Sequence, residues 1–251
     1  MKILLLHSYP FFLFIVTSII LTNITSHVSA NDYTQCHDSN TYSCGTIQNL
    51  TYPFSGGNRP DYCGEPNLQV SCVNNVPEFT VNLVTYRIIG WDLKTQNLTV
   101  ARDDLWDNMC FSSHHATSFE NTVFYFDAGL ANVTLLYDCT ANTQPTLNRV
   151  DCGGEYYVYY GAGILPINYC KSIFVPISGN VAKYVTNDPS IIPNTLKDGF
   201  ELRWDQSYAG CSTCVETGGV CGNHNGQYGC FCKNGTLCQD TIINLLKCIF
   251  D

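Results

Sequence analysis

Fifteen cysteines in 251 residues constrain the fold more than any other feature of this chain. They stand at 36, 44, 63, 72 and 110, then at 139, 152 and 170. A dense run follows at 211, 214, 221, 230, 232 and 238, and Cys248 stands alone near the end. So many thiols point to an oxidising compartment, where small lobes with limited apolar cores are held by bridges. The cysteines from 36 to 238 number 14, an even set able to close seven bridges, which leaves Cys248 as the odd thiol. In the dense run, Cys211-X2-Cys214 is the only Cys-X2-Cys pair, and Cys230-X-Cys232 follows it. A zinc ribbon needs two paired knuckles, so this region reads as bridged and no metal ligand is expected in it. The glycines around it (Gly218, Gly219, Gly222, Gly226 and Gly229) read as tight turns between bridges.

The N-terminus fits that compartment. Lys2 supplies a basic start, Pro10 to Leu21 an apolar run, and Val28-Ser29-Ala30 the small residues of a cleavage site. The apolar run is well short of the ~20 residues a membrane span requires. Residues 1–30 therefore read as a signal peptide, with the mature chain beginning near Asn31. The tail from Thr241 to Phe250 is apolar, but it is also too short to span and carries Lys247. A secreted, extracellular product without a membrane span of its own is expected.

A formal net charge of −9 argues against nucleic-acid binding by a basic surface, and a hydrophobic fraction of 45% argues against disorder. Apolar residues alternate with polar ones at Phe79, Val81 and Leu83, at Val133, Leu135 and Tyr137, and most clearly in Phe200-Glu201-Leu202-Arg203-Trp204. Tyr156 to Tyr160 suits a pleated, half-buried surface. No window of the mature chain sustains a helical period for three turns. The expected fold class is mainly β, in two small disulfide-rich β lobes. The first covers 31–110 and the second 124–238, with the polar stretch at 111–123 as linker and 239–251 as tail.

Signatures of chemistry are scarce. There is no G-X-S-X-G elbow and no H-E-X-X-H helix. The pair His114-His115 lies in the polar linker, and Asp103, Asp104 and Asp107 read as a turn after a strand ending near Val100. Four sequons, at Asn49, Asn97, Asn132 and Asn234, are expected glycosylation sites in a secreted chain.

Longer spacings carry a resemblance. Cys36-X7-Cys44-Gly45 is followed by Tyr52-Pro53-Phe54, Tyr62-Cys63-Gly64 and Leu68-Gln69-Val70-Ser71-Cys72. This order resembles the galacturonan-binding module at the front of plant wall-associated receptor kinases and their leaf-rust-resistance-type relatives. Gly199 to Trp204, Cys211-X2-Cys214-X3-Gly218-Gly219-X-Cys221-Gly222 and Tyr228-X-Cys230-X-Cys232-X2-Gly235 resemble the C-terminal module that follows it in those receptors. In them a transmembrane helix and a kinase come next, and this sequence ends at Asp251. The resemblance therefore implies no kinase activity, and no other enzyme is expected. The unmatched tail and odd thiol suit a truncated receptor gene or alternative transcript, or else a secreted relative with its own end.

What the resemblance implies is a non-catalytic, secreted protein of the plant cell wall or apoplast that binds pectin. The alternative is a protein-interaction module or decoy that pairs with full-length receptor-like kinases or an apoplastic peptide. Galacturonan carries carboxylates on pyranose rings, so a site wants cationic donors and aromatic faces. In the first module Arg and aromatics converge at Gly56-Gly57-Asn58-Arg59-Pro60, which names Tyr52, Arg59 and Tyr62 as the candidate polysaccharide-binding residues. The competing reading packs both tyrosines inside and leaves Arg59 merely exposed. Trp91, Trp106 and Trp204 could offer platforms but suit a core better. No cofactor is expected, except calcium as a bridge between acidic protein and acidic polymer.

Overall fold

A computed structural model describes residues 30–37, 41–110, 113–140, 147–165, 168–204, 211–238 and 248. The proposed leader, apart from Ala30, and the tail, apart from Cys248, lie outside these residues.

Helix α1 (Ala30–Cys36) precedes hairpin β1 (Tyr42–Cys44) and β2 (Ile47–Leu50). Then come β3 (Ser55–Gly56), β4 (Gln69–Val73), β5 (Val76–Val81), β6 (Val84–Asp92), β7 (Asn97–Arg102), β8 (Phe124–Phe126), β9 (Leu130–Tyr137), β10 (Asn148–Asp151), β11 (Tyr157–Ala162) and β12 (Lys171–Ser178). Helices α2 (Gly179–Val185) and α3 (Ile192–Asp198) lead into β13 (Phe200–Trp204). The chain finishes with α4 (Cys211–Glu216), β14 (Val220–His224), β15 (Gln227–Phe231) and β16 (Leu237–Cys238). No helix among the described residues exceeds seven residues, as the missing helical periodicity implies.

The molecule is mainly β. A seven-stranded sheet runs β3-β4-β5-β6-β7-β13-β8 and a four-stranded sheet runs β10-β11-β9-β12. Each has its own apolar core, one built on Phe54, Phe79, Tyr86, Leu98, Leu202 and Trp204, the other on Val133, Leu135, Val158, Tyr160, Ile173 and Val175. These are the two expected lobes, but in space they do not follow the order of the chain. Strand β13 inserts between β7 and β8, pairing Leu202 with Leu98 on one side and with Phe126 on the other. The first lobe is thus completed by residues about a hundred positions downstream. The second lobe in turn draws Leu105 and Met109 from the first module.

Alternation explains the strands where it holds. Phe200, Leu202 and Trp204 are buried while Glu201 is exposed, as period two requires. It fails at Leu83, which is 75% exposed. Asn82 and Leu83 both have positive φ and form the two-residue turn that pairs Val81 with Val84, the I′ pattern that suits the strand twist.

The segment read as a linker is folded onto the first sheet at 113–117. Arg102, 1% exposed, donates to the His115 carbonyl (2.8 Å), to Thr117 Oγ1 (3.0 Å) and to both carboxylate oxygens of Asp104. His114 packs on Tyr137 with ring centroids 4.7 Å apart. Buried charge is tolerated there because every such contact is a charge-assisted hydrogen bond.

Among the described residues, seven disulfides join 36–63, 44–72, 110–152, 139–170, 211–221, 214–230 and 232–248. Cys248 is therefore no odd thiol. It pairs with Cys232.

Candidate functional site

The three residues named from sequence hold the framework together. Arg59 is 3% exposed, with Nη1 donating to the Cys36 carbonyl (3.0 Å) and Nη2 to the Cys63 carbonyl (3.1 Å). It braces both ends of one disulfide, which corrects the expectation of a solvent-facing donor in a flexible loop. Tyr52 is buried among Cys211, Cys214, Cys221, Cys230 and Cys232, and its hydroxyl donates to Glu65. Burial, then the Glu65 charge, raises its pKa far above the usual tyrosine value. Tyr62 meets Phe231 edge to face, with centroids 6.1 Å apart, and its hydroxyl donates to Gln35. A Cβ on Gly222 would lie 2.4 Å from the Tyr62 carbonyl oxygen, so only glycine lets β14 approach this closely. The two tyrosines are where the C-terminal disulfide knot docks on the first lobe. Tyr52 and Arg59 share a hollow of about 340 Å³ with Gly218, Gly219 and Cys221, and Tyr62 does not line it.

Several other sequence expectations find their place. Trp204 is core and Trp91 stacks on it, while Trp106 is half-buried with the Arg87 guanidinium 4.8 Å and the Lys197 ammonium 5.8 Å from its ring centroid. Asp103 to Leu105 form a 3-10 turn directly after β7. Burial alone would raise the Asp104 pKa, but hydrogen bonds from Arg102 and Ser113 and the Arg102 charge hold it down to about 2. Among the sequons, Asn49 and Asn234 are exposed, whereas Asn97 and Asn132 are half-buried on strands. Among the described residues, the cluster with metal-ligand spacing is Cys230, Cys232 and Cys248, and all three sit in disulfides. Gly219 marks the packing of that knot, since a Cβ there would lie 2.6 Å from the Cys230 sulfur.

A second concave surface of the first lobe lies beside the β1–β2 hairpin. The bridge 44–72 ties the β1–β2 hairpin beside β4, and the space between forms a groove of about 610 Å³. It is lined by Tyr42, Gly57, Asn67, Gln69, Ser71 and Thr80, with Val70, Cys72 and Phe79 behind them. Tyr42 is half-buried, and that burial raises its pKa. Its ring reaches this position because Gly57 has no side chain: a Cβ there would stand 2.2 Å from Cδ2 of Tyr42, and φ is +58°. Gln69 Nε2 donates to Asp61 (3.0 Å), which fixes the amide in the groove. Amides, hydroxyls and one aromatic face can hydrogen-bond sugar hydroxyls and cover a pyranose ring. The described lining has neither Lys nor Arg. Sequence reasoning missed Tyr42 because the glycines beside Arg59 read as a flexible loop rather than as room for a ring. The 44–72 pairing, which spacing cannot supply, ties the strand that carries Tyr42 to β4.

Residues 36–102 match the family model of the wall-associated receptor kinase galacturonan-binding module, and residues 151–235 match that of the wall-associated receptor kinase C-terminal module. The groove lies wholly within the first match. Fold and matches together define a disulfide-rich β protein made of two ectodomain-type modules, neither of them a kinase. The chain resembles the ectodomain of leaf-rust-resistance-type receptor-like kinases. It is 28% identical over 213 residues to the Arabidopsis thaliana leaf rust 10 disease-resistance locus receptor-like protein kinase-like 2.5, covering 73% of this chain and 31% of that protein. It is 26% identical over 234 residues to kinase-like 2.1 of the same organism, covering 84% and 36%. The chain thus spans about a third of the length of these relatives. No solved structure matches it.

Proposed function

We propose that this protein is a non-catalytic, secreted polysaccharide-binding protein of the plant cell wall that holds galacturonan. The observation that carries this reading is the match of residues 36–102 to a galacturonan-binding module, inside which the hydroxyl- and amide-lined groove beside Tyr42 is the most sugar-like surface. Asn49 and Asn234, being exposed, are the sequons best placed to carry glycans. An acidic chain repels a polyanion at long range, so affinity has to come from local contacts, with calcium bridging carboxylates of both partners.

The test is retention of the secreted protein on immobilised homogalacturonan, with calcium and with chelator. Binding that weakens at least several-fold in chelator supports the whole reading. Binding indifferent to chelator removes calcium from it. No retention on any pectic polymer, together with co-purification of a receptor-like kinase, would replace it with the protein-interaction alternative.

A further inference from the structure

The arginines of the first lobe offer little for a carboxylate. Of five arginines in the chain, Arg59 is engaged by two carbonyls, Arg87 by Asp103 (2.6 Å) and Glu78 (3.8 Å), Arg102 by Asp104 (2.8 Å) and Arg203 by Asp127. The fifth, Arg149, is exposed and has no ion-pair partner among the described residues. It lies on β10, the edge strand of the four-stranded sheet, directly opposite Tyr159 of β11. Its guanidinium lies over the Tyr157 ring, 4.4 Å from the centroid. Tyr157 and Tyr159 alternate with the buried Val158 and Tyr160, so both rings belong to the outer face, 6.5 Å apart. They also line a hollow of about 520 Å³ together with Asp138 and Glu155.

We infer that this strip is a binding site for a pyranosyl uronate, with Arg149 taking the carboxylate and Tyr159 covering a ring face. The inference rests on the galacturonan reading above and moves its charged contact to the second lobe. A guanidinium placed over an aromatic ring can still offer its N–H donors to a bidentate carboxylate contact. Tyr159 stands beside it on the neighbouring strand, where the ring bearing that carboxylate would lie. Asp138 does not oppose the ligand as a bare charge, because Lys171 is paired with it at 2.7 Å. Asp138 and the exposed Glu155 accept hydroxyls of the adjoining sugar. A uronate flanked by an uncharged sugar therefore fits better than an unbroken run of free acids.

The experiment measures affinity of the full secreted chain for three oligosaccharides of equal length: free-acid homogalacturonan, its methyl ester, and an alternating uronate–neutral sugar chain. Arg149→Gln and Tyr159→Ala are compared with wild type, and Tyr42→Ala reports on the groove. Arg149 is exposed and Tyr159 half-buried on the outer face, and an unchanged thermal midpoint verifies the fold. The expected result is at least a tenfold loss for each strip variant on the two acidic ligands. For Arg149→Gln, methyl esterification should cause no further loss, and Arg149→Lys should restore part of the affinity. Wild-type binding to acidic ligands that both strip variants retain would overturn this inference and leave the galacturonan reading standing. Wild type that binds none of the three would overturn both.

Discussion

Trp91 of β6 and Trp204 of β13 stack face to face, with centroids 4.6 Å apart and planes 4° from parallel. One comes from the segment that matches the galacturonan-binding family model and the other from beyond residue 200, so the first lobe is sealed by a residue of the second matched segment. Such a pair adds about 0.5–1.5 kcal/mol to the area it buries. Removing the fully buried partner in Trp204→Ala should cost roughly 3–5 kcal/mol, read as a lower denaturant midpoint. The companion expectation concerns the isolated module. Without β13, residues 31–110 leave the β7 edge unpaired, and amide exchange along β7 should be fast in that fragment and slow in the whole chain.

Acid should loosen the Arg102 cluster. The Asp104 pKa lies at about 2 in the folded chain against an ordinary 3.8, so its carboxylate favours the folded state. That contribution, of order 2 kcal/mol by linkage, is fully present above the unfolded value and is lost as pH falls from about 4 towards 2. Stability measured across this window should drop for wild type and change less for Asp104→Asn. An equal slope in both would show that the ion pair is not responsible.

Disulfide mapping has a sharp expected outcome. Bridge 232–248 places Cys248 inside the C-terminal knot, so alkylation of the unreduced protein should label no peptide containing Cys248. A labelled Cys248 would restore the pairing that spacing alone suggested.

Gly57→Ala tests how the groove is built. The added methyl group meets the Tyr42 ring and sits on a backbone with φ of +58°, so the ring must leave its place. A loss of about 1–2 kcal/mol of stability is expected from strain of this kind, together with weaker polysaccharide retention. Tyr42→Ala should weaken retention similarly with a smaller effect on stability, because that ring is only half-buried.

The strands that sequence made legible are those whose two faces differ. Phe200 to Trp204 show period two because one face meets the core and the other meets water. Leu83 broke the pattern because a hairpin turn can place an apolar residue in solvent when both of its residues adopt positive φ. Arg59 was misplaced for another reason: its partners are main-chain carbonyls of Cys36 and Cys63, and no residue type announces a carbonyl. Tyr157 and Tyr159 were visible in a tyrosine-rich strand, but their meeting with Arg149 depends on the β10–β11 register.

The insertion of β13 between β7 and β8 also sets a timetable for synthesis. Arg102 ends β7 and Trp204 ends β13, so roughly 100 residues must be made after the first before its edge can be covered. At ~5–20 residues per second, the nascent chain carries an open strand edge for roughly 5–20 s. During that interval bridges 36–63 and 44–72 can already close, since all four of their cysteines have emerged. The N-terminal bridges then act as a temporary clasp that keeps β4 and its hairpin in register until the distant strand arrives.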